Sequence, residues 1–365
     1  MRRFVLVLAL ALVACQSTPP VAARPSAKTT HAIEVSASAT PAPAPTPVLS
    51  ESVYEVMGVS ADEAWVVTTR RVMRETNAGD TWTDRTPPPI VSGASKPGAL
   101  RRSGQTLWLT SGSGDGLERL FRSTDDGVSW TDAGSFPGLG GYVTGADSQH
   151  LWLLVGRGAA AGSSGLDVYA SRNAGVTWTR IAWTDPINQT GNLPFGCNKG
   201  AASFGSAATG WIGISCAGGV PHLLKTADGG YSWQEVNVLA GLSPGGFVTE
   251  PVFFGELNGV VVAINGLEHF LTTTDGGRTW TDRAQLNRSG DAEILSPTTW
   301  YAREQGQLKL TVDSGRTWTT LGQAPDGELH FLNTSQGWAL SSATAGVERT
   351  TDGGRTWQQV LLPPS

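Results

Sequence analysis

Residues 273–280 read Thr273-Thr274-Asp275-Gly276-Gly277-Arg278-Thr279-Trp280, and residues 350–357 read Thr350-Thr351-Asp352-Gly353-Gly354-Arg355-Thr356-Trp357. An octapeptide used twice is an internal repeat. Looser copies place Asp125, Gly127 and Trp130, then Asp228, Gly230 and Trp233, then Asp313, Gly315 and Trp318 at the same offsets. Two further copies carry Asn for Asp, as Asn77, Gly79, Trp82 and as Asn173, Gly175, Trp178. The seven tryptophans follow one another at intervals of 48, 48, 55, 47, 38 and 39 residues. Each residue type has a physical reason. The Asp accepts hydrogen bonds from backbone N–H groups of its own turn and holds it closed. The Gly two positions on takes a positive φ at little cost. The Trp opens the following strand and packs between sheets, burying about 200 Å². Asn keeps the acceptor oxygen and loses the charge, and the first copy has Glu75 where Ser or Thr is usual.

A second tryptophan series precedes the turns: Trp65, Trp108, Trp152, Trp211, Trp300 and Trp338, with Val260 in the fifth unit. Around it the chain alternates as strands do, for example in Gly210-Trp211-Ile212-Gly213-Ile214-Ser215. Each unit therefore reads as three strands, the turn and a fourth strand. In the first unit the predicted strands are 53–59, 64–68, 72–76 and 82–85. Seven such units, closing in a ring that removes long sheet edges, predict an all-β, seven-bladed β-propeller over 51–365. The turn resembles the Asp-box, or BNR repeat, of sialidases and related propellers. We call it the box below. In those families the box carboxylates lie at the propeller end opposite the ligand site, which implies a structural role for them here.

The rest of the composition narrows the function. Of 365 residues only 16% are charged and the net charge is −5, which excludes a coiled coil and a nucleic-acid binder driven by a basic field. Arg2-Arg3, an apolar run from Phe4 to Ala14, and Cys15 read as a secretory leader over 1–14, too short in its apolar part to span a bilayer. Leu12-Val13-Ala14-Cys15 resembles the bacterial lipobox, which implies a diacylglycerol on Cys15 and a cell-membrane lipoprotein with its domain facing the periplasm or the exterior. Residues 15–50 are rich in Pro and Ala and lack aromatic residues, so they read as a disordered tether.

Candidate sites are few. Cys197 and Cys216 flank the first two strands of the fourth unit and are expected to form a disulfide in an oxidising compartment. No cofactor or metal is expected, because the five histidines are scattered. Gly241-Leu242-Ser243-Pro244-Gly245 spells a hydrolase elbow but has no helix pattern after it. Loops at the end opposite the boxes are expected to carry any ligand site, with Trp183 and Asp185 on a long loop over 180–196, and Arg157 and Arg303 on shorter ones.

Three families frame the expectation. Sialidases use three arginines, a Tyr–Glu pair and an Asp, and their Arg-Ile-Pro signature is absent here. Xyloglucanases place one catalytic Asp on each of two facing propellers. The box, lipobox and unit count also resemble the photosystem II assembly-factor family of cyanobacteria and plastids, lipid-anchored in cyanobacteria. In that family the propeller holds a membrane protein during assembly and carries a basic arginine patch, whose near match here is Arg101-Arg102 on a predicted inner strand. The expectation is a non-catalytic, membrane-tethered binding propeller, monomeric, for an envelope protein or glycan and not for nucleic acid. The alternative is a glycoside hydrolase of sialidase or xyloglucanase type.

Overall fold

Short strands with one or two apolar faces are stable only when sheets stack face to face, and seven stacked sheets close the ring here. The computed structural model describes residues 51–160, 162–216, 219–238, 245–287, 292–342 and 346–363. The leader read at 1–14, Cys15 and the tether to residue 50 lie outside the described residues, as does Ser243.

Each blade is one continuous stretch of chain folded as an antiparallel meander from the axis outward. Blade 1 comprises Val53–Ser60, Glu63–Thr68, Val72–Thr76 and Thr81–Asp84, close to the ranges read from sequence. Blade 2 runs from Lys96–Ser103 to Thr131–Pro137, and blade 4 from Asn198–Phe204 to Gln234–Val236. Blade 6 runs from Ala292–Ile294 to Thr319–Gln323, and blade 7 from Leu329–Phe331 to Gln358–Val360. Two blades have five strands. Blade 3 adds Thr190–Gly191 outside its fourth strand, and the inner strand of blade 5 is split into Phe247–Val248 and Val252–Phe254. The only α-helix among the described residues is one turn, Pro88–Val91.

The inner strands of neighbouring blades touch around the axis, and the second strands form the buried spine. Trp65, Trp108, Trp152, Trp211, Trp300 and Trp338 are all at most 1% exposed, whereas the box tryptophans are half-buried. The second series is therefore the deeper one. Five of its members reach the next blade, as Trp152 of blade 3 stacks on Phe204 of blade 4 at 3.6 Å and Trp211 on Phe253 of blade 5 at 4.0 Å, whereas Trp300 of blade 6 packs back on Phe270 of blade 5 and Tyr301 stacks on Phe331 of blade 7. The box Trp of the receiving blade meets the same Phe edge-on, as Trp233 does with Phe204 and Trp280 with Phe253. Such pairs add to the free energy of burial.

Inside a box the hydrogen bonds form a closed set. Ser123 Oγ accepts from Gly127 N and donates to Asp125 Oδ1, both at 2.8 Å. Asp125 accepts from Ser129 N at 2.9 Å and from Ser129 Oγ at 2.6 Å. The same pattern recurs around Asp228, Asp275, Asp313 and Asp352. Hydrogen bonds from Ser129 hold the Asp125 carboxyl down at about 2. Asn173 reproduces the acceptor role at 2.9 Å to Thr177 N and adds a donor to Thr177 Oγ1.

The turn needs two left-handed residues, where one was expected. Gly175 has φ +77°, and the residue before it, Ala174, has φ +55°. Asp126 and Ser314 are likewise non-glycine residues at φ +53° and +62°. The second position has a further constraint. A Cβ on Gly175 would overlap the six-membered ring of Trp108 from the preceding blade, and Gly127 and Gly277 face Trp65 and Trp211 of their preceding blades, whereas Gly315 faces Ala284 of blade 5 and Trp300 of its own blade.

In blade 1, Glu75 replaces the box hydroxyl and its Oε1 accepts from Gly79 N. The side chain is fully buried, Oε2 has no hydrogen-bond partner among the described residues, and burial raises the carboxyl to about 7. The ring closes without a shared strand. Blade 7 meets blade 1 through Trp338 Nε1 donating to Ser60 O at 3.0 Å, His330 Nε2 lying 3.2 Å from Gly58 O, and an apolar cluster of Val56, Val66, Met73, Val347 and Val360. Arg71 bridges the two ends of the described chain, pairing with Glu51 and donating to Pro363 O at 3.1 Å. Cys197 and Cys216 are joined by a disulfide, as expected.

Two predictions follow from the boxes. Gly175→Ala should cost about 2–4 kcal/mol in urea unfolding, from the left-handed backbone plus overlap with Trp108, while Ala174→Gly should gain about 0.5–1 kcal/mol. For Glu75 the folded state holds its proton more tightly than the unfolded chain, whose value is near 4.5, so its contribution is present in acid and is lost as pH rises through about 7. Relative to the parent, Glu75→Gln should therefore gain about 1–3 kcal/mol at pH 8 and little at pH 4.

Candidate binding site in the central channel

Where seven inner strands converge, one side chain per blade points into a confined space, and polar ones must pair. Glu55 of blade 1 is 3% exposed. It accepts from Leu100 N at 3.1 Å and from Arg101 Nη1 of blade 2 at 2.6 Å. The Arg101 guanidinium also donates to Leu100 O at 2.8 Å and lies 5.7 Å from the ring centroid of Tyr142 in blade 3. The Tyr142 hydroxyl accepts from Ala202 N of blade 4. Burial, with the Glu250 charge of blade 5 nearby, pushes the Tyr142 phenol far above its ordinary value, so it stays neutral. Five consecutive blades thus contribute to one buried polar group.

Beside this group lies a cavity of about 450 Å³ lined by Arg101, Arg102, Tyr142, Asp147, Ala202 and Glu250, with the first hairpin turns of blades 2 and 3. Those turns share an end of the ring with the boxes, because first-to-second and third-to-fourth strand turns of a meander lie on one side. Arg102 donates to Gly104 O at 3.1 Å and stands 3.6 Å from Asp126. Asp147 accepts from Gln149 N and His150 N at 2.7 and 2.8 Å. The site can offer guanidinium, phenol and carboxylate groups to a polar ligand. Sequence reasoning picked out Arg101-Arg102 but missed Glu55, Tyr142 and Glu250. Their signal is positional: each stands ten residues ahead of Trp65, Trp152 or Val260 on the second strand.

The residues expected on the opposite end do not assemble into one site. Trp183 is not on an open loop. It sits half-buried on the fourth strand of blade 3, Thr179–Asp185, because Asn192 Oδ1 accepts from Trp183 N at 2.9 Å and Leu193 folds back into the core. Asp185 is used within its own turn, accepting from Ile187 N and Asn188 N at 2.9 and 3.1 Å. Arg303 is 6% exposed, not a surface group: its Nη1 donates to Asp326 O of blade 7 at 3.2 Å and its Nη2 to Gly327 O at 2.5 Å. Buried backbone carbonyls draw it into the interface. Arg157 does remain exposed. With Arg180 it flanks the buried carboxylate of Asp167 at 3.9 and 3.6 Å, and Arg180 lies 4.8 Å over the Trp183 ring. Arg157 and Trp183 therefore share the outer rim of blade 3, while Arg303 belongs to the blade 6–7 interface.

No protein-family model matches the chain. Over 175 residues it is 26% identical to xyloglucanase Xgh74A of Acetivibrio thermocellus, a match covering 40% of this chain and 20% of that protein. The chain thus spans about a fifth of the length of the curated relatives it matches. Among solved structures it is similar to YCF48 bound to D1 peptide, with a TM-score of 0.52 at 14% identity, over 84% of this chain and 90% of that one. It is also similar to YCF48 from Cyanidioschyzon merolae, with a TM-score of 0.51 at 17% identity, over 85% and 95%. These structural likenesses establish the propeller fold, which is common to binding and catalytic proteins.

Proposed function

We propose that this protein is a non-catalytic binding propeller, tethered to the bacterial cell membrane through Cys15, that holds an envelope protein or glycan at the box end of its channel. The observation carrying this reading is the Glu55–Arg101–Tyr142 group. It commits a buried carboxylate to holding a guanidinium beside the cavity, which is a preorganised recognition surface. The YCF48 propeller bound to a D1 peptide is a fold-level analogue for a protein partner. The box carboxylates are poor general acids, since the box hydrogen bonds keep Asp125 and Asp352 ionised down to about pH 2.

The second reading is glycoside hydrolysis, favoured by the match to xyloglucanases. It requires two carboxylates facing each other across a cleft. In that family the second comes from another propeller, and the described residues here form one.

Incubation with xyloglucan, other β-glucans and sialosides should release no reducing sugar, and release from any of them would replace the binding reading with the hydrolytic one. In crosslinking of envelope extracts, Arg102→Glu should reduce capture of the partner without shifting the thermal midpoint. Arg101→Ala should instead lower stability by about 3–5 kcal/mol, because it removes the guanidinium that neutralises the buried Glu55 carboxylate.

A further inference from the structure

Blade 3 departs from the repeat in two places that meet. Its second and third strands, Leu151–Ala160 and Ser163–Ser171, are the longest among the described residues, at 10 and 9 residues. Its fourth strand is followed by the added strand Thr190–Gly191, in a segment that widens one box-tryptophan interval to 55 residues. Both additions border one polar cluster. Gly165, Asp167 and Tyr169 share a face of the third strand, and Tyr169 packs on Phe136 of blade 2 at 4.8 Å. In register, Asp167 stands opposite Trp183 and Tyr169 opposite Arg180. A Cβ on Gly165 would lie 2.7 Å from Arg157 Cβ and 2.9 Å from Pro186 Cδ, so the long hairpin and the added segment close over the strand there.

The centre of the cluster is a carboxylate that the fold does not use up. Asp167 is 2% exposed. Its Oδ2 accepts from the Tyr169 hydroxyl at 3.2 Å, and its Oδ1 accepts from no group among the described residues. Arg180 and Arg157 stand off at 3.6 and 3.9 Å, beyond hydrogen-bond reach, whereas the structural pair Arg101–Glu55 closes to 2.6 Å. Burial outweighs both arginines and raises the Asp167 carboxyl above its ordinary value. Arg157 and Arg180 are exposed, and their guanidiniums donate no hydrogen bond among the described residues. A buried carboxylate short of partners costs free energy that a ligand can recover.

Charge selects the ligand. Asp185 also stands at this rim, its carboxyl held down by the Asn188 hydrogen bonds and in part by the Arg157 charge. Two carboxylates and two guanidiniums cancel, so neither an anion nor a cation gains overall. An anion would accept from the arginines but has no proton for Asp167, and an ammonium group meets the reverse problem. A hydroxyl does both, accepting from a guanidinium and donating to a carboxylate. The half-buried Trp183 ring, with Arg180 4.8 Å over it, adds an apolar wall for ring C–H groups.

We propose that the rim between blades 2 and 3 is a saccharide-binding site. A pyranose places two neighbouring hydroxyls between Asp167 and the Arg157 and Arg180 guanidiniums, with Trp183 as its apolar flank. The site lies at the end opposite the channel cavity and does not rest on the channel reading.

The test is calorimetry and saturation-transfer NMR on the full-length protein in detergent. The probes are the methyl pyranosides of glucose, galactose, mannose and fucose, and N-acetylglucosamine. At least one should bind with a Kd of about 1 mM. Arg157→Ala and Asp167→Asn should each weaken it about tenfold, and Arg157→Ala, a change at an exposed residue, should leave the thermal midpoint unchanged. Arg102→Glu, at the channel cavity, should bind the sugar as the parent does. Inorganic phosphate should not displace it. Failure of every probe to bind, undiminished binding in either rim variant, or displacement by phosphate would overturn the proposal. Loss in Arg102→Glu with retention in Arg157→Ala would place the sugar in the channel, which overturns the rim site while supporting the channel reading.

Discussion

One contact recurs at four of the seven blade interfaces: the indole of a second-strand tryptophan (Trp65, Trp108, Trp152, Trp211) lies on the box glycine of the next blade. The tryptophan excludes a Cβ at that glycine, and the glycine lets the turn bend back under the ring. Neither residue can be explained within its own blade. Together with the aromatic stacks and aliphatic contacts of the other interfaces, it joins seven small sheets, each too small to bury a core alone, into one ring whose apolar clusters all span neighbouring blades. Cation–π contacts from Arg74, Arg122, Arg172 and Lys225 cover the other side of four of these tryptophans.

With the perimeter fixed in this way, the axis is free to differ from blade to blade. Glu55, Arg101, Tyr142, Ala202 and Glu250 lie along five successive inner strands, and Glu is the one type used twice. A repeated scaffold with an unrepeated centre suits recognition of one asymmetric ligand. The cavity opens at the box end among the charged groups Arg102, Asp126 and Asp147.

What could be read from sequence follows the repetition. The boxes, the deep tryptophans and the strand order recur from unit to unit, and the folded chain places them accordingly. Trp183 was misplaced because the stretch from 180 to 196 has no counterpart in other units, and only Asn192 and Leu193 folding back reveal it as strand. Arg303 looked like a loop arginine because nothing local to it marks the carbonyls of Asp326 and Gly327, which another blade supplies. The channel group was missed for the same reason: its successive members are 41 to 60 residues apart and meet only when the ring closes. Local physics is written in a repeat, whereas convergence on an axis is not.

The seam between blades 7 and 1 has a different consequence. No strand crosses it, every blade is an uninterrupted segment, and Arg71 draws Glu51 and Pro363 to the same spot. The chain is therefore a necklace whose clasp is made of side chains, and its start point is arbitrary with respect to the fold. A circularly permuted version, with 51 and 363 joined by a short linker and new termini cut between any two blades, would keep all seven sheets intact. It would also carry a tether from whichever side of the ring was chosen, making the position of the attachment point independent of the architecture.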